Sequence, residues 1–371
     1  MLESKKQLAG LSAGFFGVGV FGLYVTPRSN GAQVIPFVVC MWIGMGLFFA
    51  IGILLPFLNV VTRVTVYYAP NVIRLEGSED EEAHILGPSE PAPTTYLRMR
   101  RRILRVEGKT GLIKGCLPFA LKFLMLTVAY VLYAAPGIFG GYRGNPSLLH
   151  GTLLRAAMAA CANILITLPF QVISTRCIVT PYQLPWSRPL SSLRLLLSEA
   201  ELKKPWLLYA ISGLLPALLL MAGVEVVYDR VQVVFFERYA ILPPDGASGV
   251  IPLRVFLALA TFGVKSVITI PLNMVVIRLS VQQTNLGGSI QLADPSPYLE
   301  ESDSGIRKYS EDEDVVQLRE EPYTGLVNCL RSIIREEGGL ALYRGWMICL
   351  TQGVTLAWVL VIAMLQRWGV V

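Results

Sequence analysis

The sequence predicts an all-α membrane protein: six spans arranged as three helix pairs about a pseudo-threefold axis, short surface helices, and an extra N-terminal hydrophobic helix. Three observations predict it. The chain of 371 residues is 53% hydrophobic and only 16% charged, with a mean hydropathy of +0.54. Apolar segments run at about 8–25, 34–61, 112–139, 151–175, 206–228, 250–277 and 340–365. All but the first comfortably exceed the roughly 20 residues that cross a hydrocarbon core. Finally, a Pro followed seven residues later by an Arg closes the second, fourth and sixth segments, which is internal repetition.

Composition excludes several classes. A soluble fold of this length lacks the interior to hide so much apolar surface. A disordered chain, a coiled coil and a typical cytosolic enzyme are excluded on the same ground. The net charge of +6 comes from bases scattered between apolar segments, many beside segment ends. That pattern fits loops on an anionic membrane surface, with the lipid bilayer as partner and no nucleic acid. None of the six cysteines forms a C-x-x-C pair, and the histidines, His84 and His150, lie in polar stretches. Neither a disulfide framework nor a zinc site is expected. With no phosphate-binding Gly loop, metal cluster or nucleophile constellation, the chain is expected to be no enzyme and to hold no cofactor or metal.

Residues 1–33 form the N-terminal hydrophobic segment. Leu8 to Val25 follows Lys5 and Lys6 but leads into Thr26, Pro27 and Arg28, without a small-residue cleavage site. Its glycines favour close helix packing, so an additional span or membrane-associated helix is expected. Three repeats follow, at 34–140, 148–235 and 249–369, the last containing the polar loop 284–322. Pro56 with Arg63, Pro169 with Arg176 and Pro271 with Arg278 close their first spans. Pro removes a backbone hydrogen bond and kinks a helix. Three kinked spans would draw together at one end and enclose a cavity. The arginines are expected to anchor span ends at the lipid headgroups.

A second element opens the return spans. Glu107-Gly108 through Lys114-Gly115 aligns without gaps with Glu337-Gly338 through Tyr343-Arg344-Gly345. The middle copy, Glu201 to Tyr209, keeps an acidic start and an aromatic but has lost the glycines. Before the last copy, Leu326, Cys329, Leu330, Ile333 and Ile334 recur at helical spacing, which predicts an amphipathic surface helix. The polar stretches 76–100 and 284–322 read as extramembrane loops that can recruit protein partners.

On these motifs residues 34–369 resemble the mitochondrial carrier family. The family repeats a Pro with an acidic residue two positions on and basic residues five and seven on, then a surface helix, then Glu-Gly leading to an aromatic, a basic residue and Gly. The resemblance implies a six-helix carrier bundle in a mitochondrial membrane, with a central site for a small, often anionic solute and alternating access. It also implies that the residue seven after the motif glycine contacts substrate: Lys122 in the first repeat and Gln352 in the third.

Several family positions differ. The acidic position holds Leu58, Gln171 and Asn273, and the basic one five after Pro holds Val61, Ser174 and Val276. Of the opposite gate, only Tyr228-Asp229 with Gln232 in the basic place resembles the family pattern. Such loss is also found in carrier-like proteins of the mitochondrial outer membrane that act in fusion, organelle morphology or protein insertion. Transmembrane transport of a small anionic solute is therefore the first expectation, and such a non-transport role is the alternative. Inner and outer membrane both remain open.

Ionisable residues within spans are costly and are functional candidates by default. Lys122 and Lys265, six residues before Pro271, are expected to line the cavity and attract an anion, with Glu225 as counter-charge. Pairing of these residues with one another, or snorkelling to an interface with no ligand, is the alternative. Glu225 and Asp229, one turn apart, share a helix face.

Overall fold

A computed structural model describes residues 50–69, 94–139, 149–184, 189–240, 250–282, 307–309, 315–319, 321–351 and 353. The expected N-terminal helix, most of both polar loops, Gln352, the Gln232 side chain and most of the last span lie outside the described residues. The described chain is mostly helical. In chain order its helices are α1 (Leu55–Val66), α2 (Tyr96–Val106), α3 (Cys116–Phe139), α4 (Leu149–Val179), α5 (Pro189–Leu196), α6 (Glu199–Lys203), α7 (Leu214–Ala240), α8 (Val250–Val281) and α9 (Leu326–Glu336). Two short strands, β1 (Tyr182–Gln183) and β2 (Arg307–Lys308), pair antiparallel.

Among the described residues, three stretches are long and apolar enough to cross a membrane: Gly108–Ala129, Ala157–Val179 and Leu259–Val281. Their surfaces are those of lipid-solvated helices. Leu117, Leu121, Leu124, Met125 and Val128 are exposed along α3 at helical spacing, as are Leu259, Val264, Val267 and Ile268 along α8. Stripes of that size are a liability in water and ordinary in hydrocarbon. The chain is a membrane protein in this sense.

The repeats shape the packing. α1, α4 and α8, each carrying the Pro and Arg of one repeat, pack pairwise on one another. α3 packs on α4, and α7 on α8. Pro56 sits in the first turn of α1, just after a π turn at Ala50–Leu54, where a missing N–H costs little. Pro169 and Pro271 lie inside α4 and α8, which continue through them.

Surface helices α2 and α9 dock by equivalent positions in register. Met99 and Ile103 on α2, and Cys329 and Ile333 on α9, are all at most 1% exposed. Each pair is one turn apart, so it faces one side of its helix. Burial pushes the Cys329 thiol up to about 12. One turn further along the same faces come Glu107 and Glu337, whose N–H groups donate to the Ile103 and Ile333 carbonyls. In the middle repeat Leu193, Leu197 and Glu201 have the same spacing, and Ser198 closes a capping box with Glu201 at the start of α6.

Two apolar runs differ from their expected extents. The runs beginning near 206 and 340 each open with a tight 3₁₀ turn, Pro205–Ala210 and Gly339–Tyr343, rather than a span. α7 starts only after Gly213, at φ +82°, just as α3 starts after Gly115, at φ +77°. Gly213 is therefore the motif glycine of the middle repeat, displaced four residues along from Tyr209 by the turn at Pro205. It is also a point of close approach, since a Cβ there would lie 2.3 Å from the Leu326 nitrogen. Gly213→Ala is expected to cost at least about 1–3 kcal/mol from backbone strain alone. Gly223→Ala, with nothing within 4 Å of its Cβ position, should stabilise α7 by about 0.5–1 kcal/mol. Denaturation in detergent tests this contrast in sign.

Candidate functional site

Arg63, Arg176 and Arg278 lie in the last turns of α1, α4 and α8, and their exposures are 0%, 2% and 4%. The expectation that they anchor span ends at headgroups is overturned. Each enters protein, because a buried glutamate waits for it. Arg63 Nη2 meets Glu107 Oε2 at 2.7 Å. Arg176 makes a forked pair with Glu201 at 2.7 and 3.1 Å. Arg278 pairs with both oxygens of Glu337, at 3.0 Å to Oε2.

Helix electrostatics explain why the partners are needed. Glu107 and Glu337 cap the C-terminal ends of α2 and α9, where the helix dipole disfavours an anion. Burial adds a desolvation cost. An arginine opposite each carboxylate offsets both, and motif cations add to it. Lys114 Nζ lies 2.9 Å from Glu107 Oε1, and Arg344 Nη1 lies 2.6 Å from Glu337 Oε2. Tyr323 donates no charge to this cluster, since burial raises its pKa; its neutral hydroxyl accepts from Arg278 at 3.2 Å.

The same cations reach from repeat to repeat. The last carbonyls of a helix have no partner within it. Arg176 Nε donates to the Ser280 carbonyl at 3.2 Å, and its Nη2 to the Gln282 carbonyl, both at the end of α8. Arg278 Nε donates to the Thr65 carbonyl at 3.0 Å, and Arg278 and Arg344 both reach the Tyr67 carbonyl at 3.4 Å, at the end of α1. Lys114 Nζ donates to the Thr180 carbonyl at 2.7 Å, at the end of α4. The first repeat thus holds the second, the second the third, and the third the first. These bonds form a ring around three converging helix ends.

The ring has one distinct seam. Between the first and second repeats the bond across is made by Lys114 and not by Arg63. Arg63 Nε and Nη1 find no partner among the described residues. Inside the ring, Val66, Val179 and Val281 each lie three residues after the repeat's arginine and form one apolar cluster with Ile277.

The positions two and five residues after each Pro contribute differently. Gln171, in the acidic place of the second repeat, accepts a hydrogen bond from Lys122 Nζ at 2.9 Å, joining α3 to α4. Lys122 has no carboxylate partner among the described residues. Lys265 and Glu225 are paired with each other at 2.6 Å, between α8 and α7, and Lys265 Nζ also lies 4.6 Å from the Tyr228 ring centre. Glu225 is thus the direct counter-charge of Lys265. No group of residues with metal-ligand character occurs among those described.

Sequence reasoning missed the helix-end carbonyls, Gly213 and the contacts of loop residues 307–309 and 315–319. The common spacing of two apolar residues and a Glu at four-residue intervals was a readable signal for the three carboxylates.

No protein-family model matches the chain, and no curated protein matches it.

Removing one partner of a buried pair leaves an uncompensated charge. Glu201→Gln is therefore expected to lower the unfolding free energy by about 3–5 kcal/mol. Glu199→Gln, which breaks the exposed 3.6 Å pair with Lys203, should change it by no more than about 1 kcal/mol. Equal effects, measured by denaturation in detergent, would contradict the role of burial.

Proposed function

We propose that the chain is a divergent carrier-type membrane protein that moves a small anionic solute by alternating access. The observation that carries this reading is Lys122. Its ammonium sits in an apolar span against a neutral amide, whereas Lys265 is matched by Glu225. A cation in a span is costly without an opposite charge. A solute anion supplies one, and the Gln171 amide then orients the ammonium toward it. Lys122 is six residues into α3, roughly 9 Å along the helix. Gln171 is five residues short of Arg176, at a similar depth from the ring.

Reconstitution into proteoliposomes with radiolabelled phosphate, dicarboxylates, tricarboxylates or nucleotides tests the reading. Lys122→Gln should reduce uptake of the transported anion at least about tenfold, a loss of roughly 1.4 kcal/mol. Lys122→Arg should retain more of it. Unchanged uptake in Lys122→Gln would remove the proposed role.

A second reading is favoured by the neutral residues in the gate positions. Leu58, Val61, Ser174 and Val276 offer no ionic lock to exchange between two states. In that reading the bundle is a scaffold in the mitochondrial outer membrane for fusion, morphology or protein insertion, with loops 76–100 and 284–322 as partner surfaces. Limited proteolysis of intact mitochondria separates the two. Cleavage within 284–322 from outside supports the scaffold, and protection until the inner membrane is opened supports the transporter.

A further inference from the structure

We propose that residues 315–319 are a plug, clasped by 307–309, that holds the ringed end of the bundle shut. Both stretches belong to the polar loop of the third repeat, yet their contacts are with all three repeats. Val316 and Leu318 pack on the cluster of Val66, Val179, Ile277 and Val281, where α1, α4 and α8 converge. Val315 is 5% exposed and enters the core between α1 and α2 beside Val60, Met99 and Ile103. The Gln317 carbonyl accepts from the Tyr68 N–H at 2.9 Å.

The clasp covers the distinct seam. β2 pairs with β1, placing Lys308 opposite Tyr182, and the Tyr309 N–H donates to the Pro181 carbonyl at 3.2 Å. Lys114 Nζ, the ring donor that crosses this seam, lies 4.4 Å from the Tyr309 ring centre. At the other end Arg319 binds Glu336 at 2.9 Å and lies over the Tyr323 ring, fixing the plug to α9.

Partial burial of two aliphatic side chains at the junction stabilises the arrangement only while the three ends stay together. Separating them exposes the valine cluster and pulls the plug out of its seat. A closure of this kind replaces ionic locks with apolar contact and backbone hydrogen bonds. It explains how a bundle with Val61, Ser174 and Val276 in the basic gate positions stays closed at this end. Opening then requires the loop to leave, so whatever binds the loop controls the gate.

The proposal rests on the bundle opening at this end, as alternating access requires. Its test has an arm that does not need a solute. Cys177 is 8% exposed, close to Lys114 and Gly115 at the distinct seam. With the other cysteines replaced by alanine, its labelling by a membrane-impermeant maleimide reports opening, read by mass spectrometry on its peptide. Val316→Ser with Leu318→Ser is expected to speed labelling at least about tenfold, roughly 1.4 kcal/mol of lost closure. An unchanged rate in a monodisperse sample overturns the plug.

A disulfide tether covers the case in which that variant does not fold. Tyr182→Cys with Lys308→Cys, oxidised, is expected to slow Cys177 labelling below that of the untethered protein. The same rate with and without the tether overturns the proposal. Loss of anion uptake on oxidation and its return on reduction tie the plug to transport. If no variant takes up any anion, the transport reading fails, while the labelling rates still decide the plug.

Discussion

The structure depends on three buried arginines, two of which meet two needs at once. Each neutralises a buried glutamate, which for Glu107 and Glu337 also sits at a helix C-terminal end that the dipole makes unfavourable to an anion. In the second and third repeats the same group also satisfies terminal carbonyls of the next helix around the axis. In the first repeat Lys114 makes that second bond. A planar guanidinium with several donors suits this double task, because it can fork onto a carboxylate while its remaining N–H groups point elsewhere. The cost of removing any member is large because the groups left behind are charged and dry.

Much of this was legible in outline. Composition and segment length gave the membrane class and the helices α3, α4 and α8. The Pro-to-Arg spacing located the helix ends that come together. The pairing of each arginine with its glutamate was harder to read, since the partners are separated by 44, 25 and 59 residues through loops of unequal length. Only their equivalence by repeat, and the shared apolar spacing before each glutamate, marks them as partners. Gly213 was hidden by four extra residues at the Pro205 turn. The carbonyls of Thr65, Tyr67, Thr180, Ser280 and Gln282 carry no sequence signal, because every residue has one.

The reading of the arginines as headgroup anchors failed for an instructive reason. An Arg at the end of an apolar segment ordinarily finds water or phosphate there. Here α2, α6 and α9 bring carboxylates over the segment ends and exclude both. By contrast, Lys265 and Glu225 are paired with each other. Lys122 remains the intramembrane cation whose described partner is uncharged, which is why the solute argument centres on it.

The most direct measurement of the central claim is the separation of the helix ends across the seam that Lys114 bridges. Nitroxide labels at Ala69 and Gln183, just beyond α1 and α4, report it by pulsed electron resonance in lipid nanodiscs. If the ring holds the three ends together, the parent protein gives one narrow distance, and Lys114→Met gives a longer and broader distribution. An identical narrow distribution in both would contradict the account.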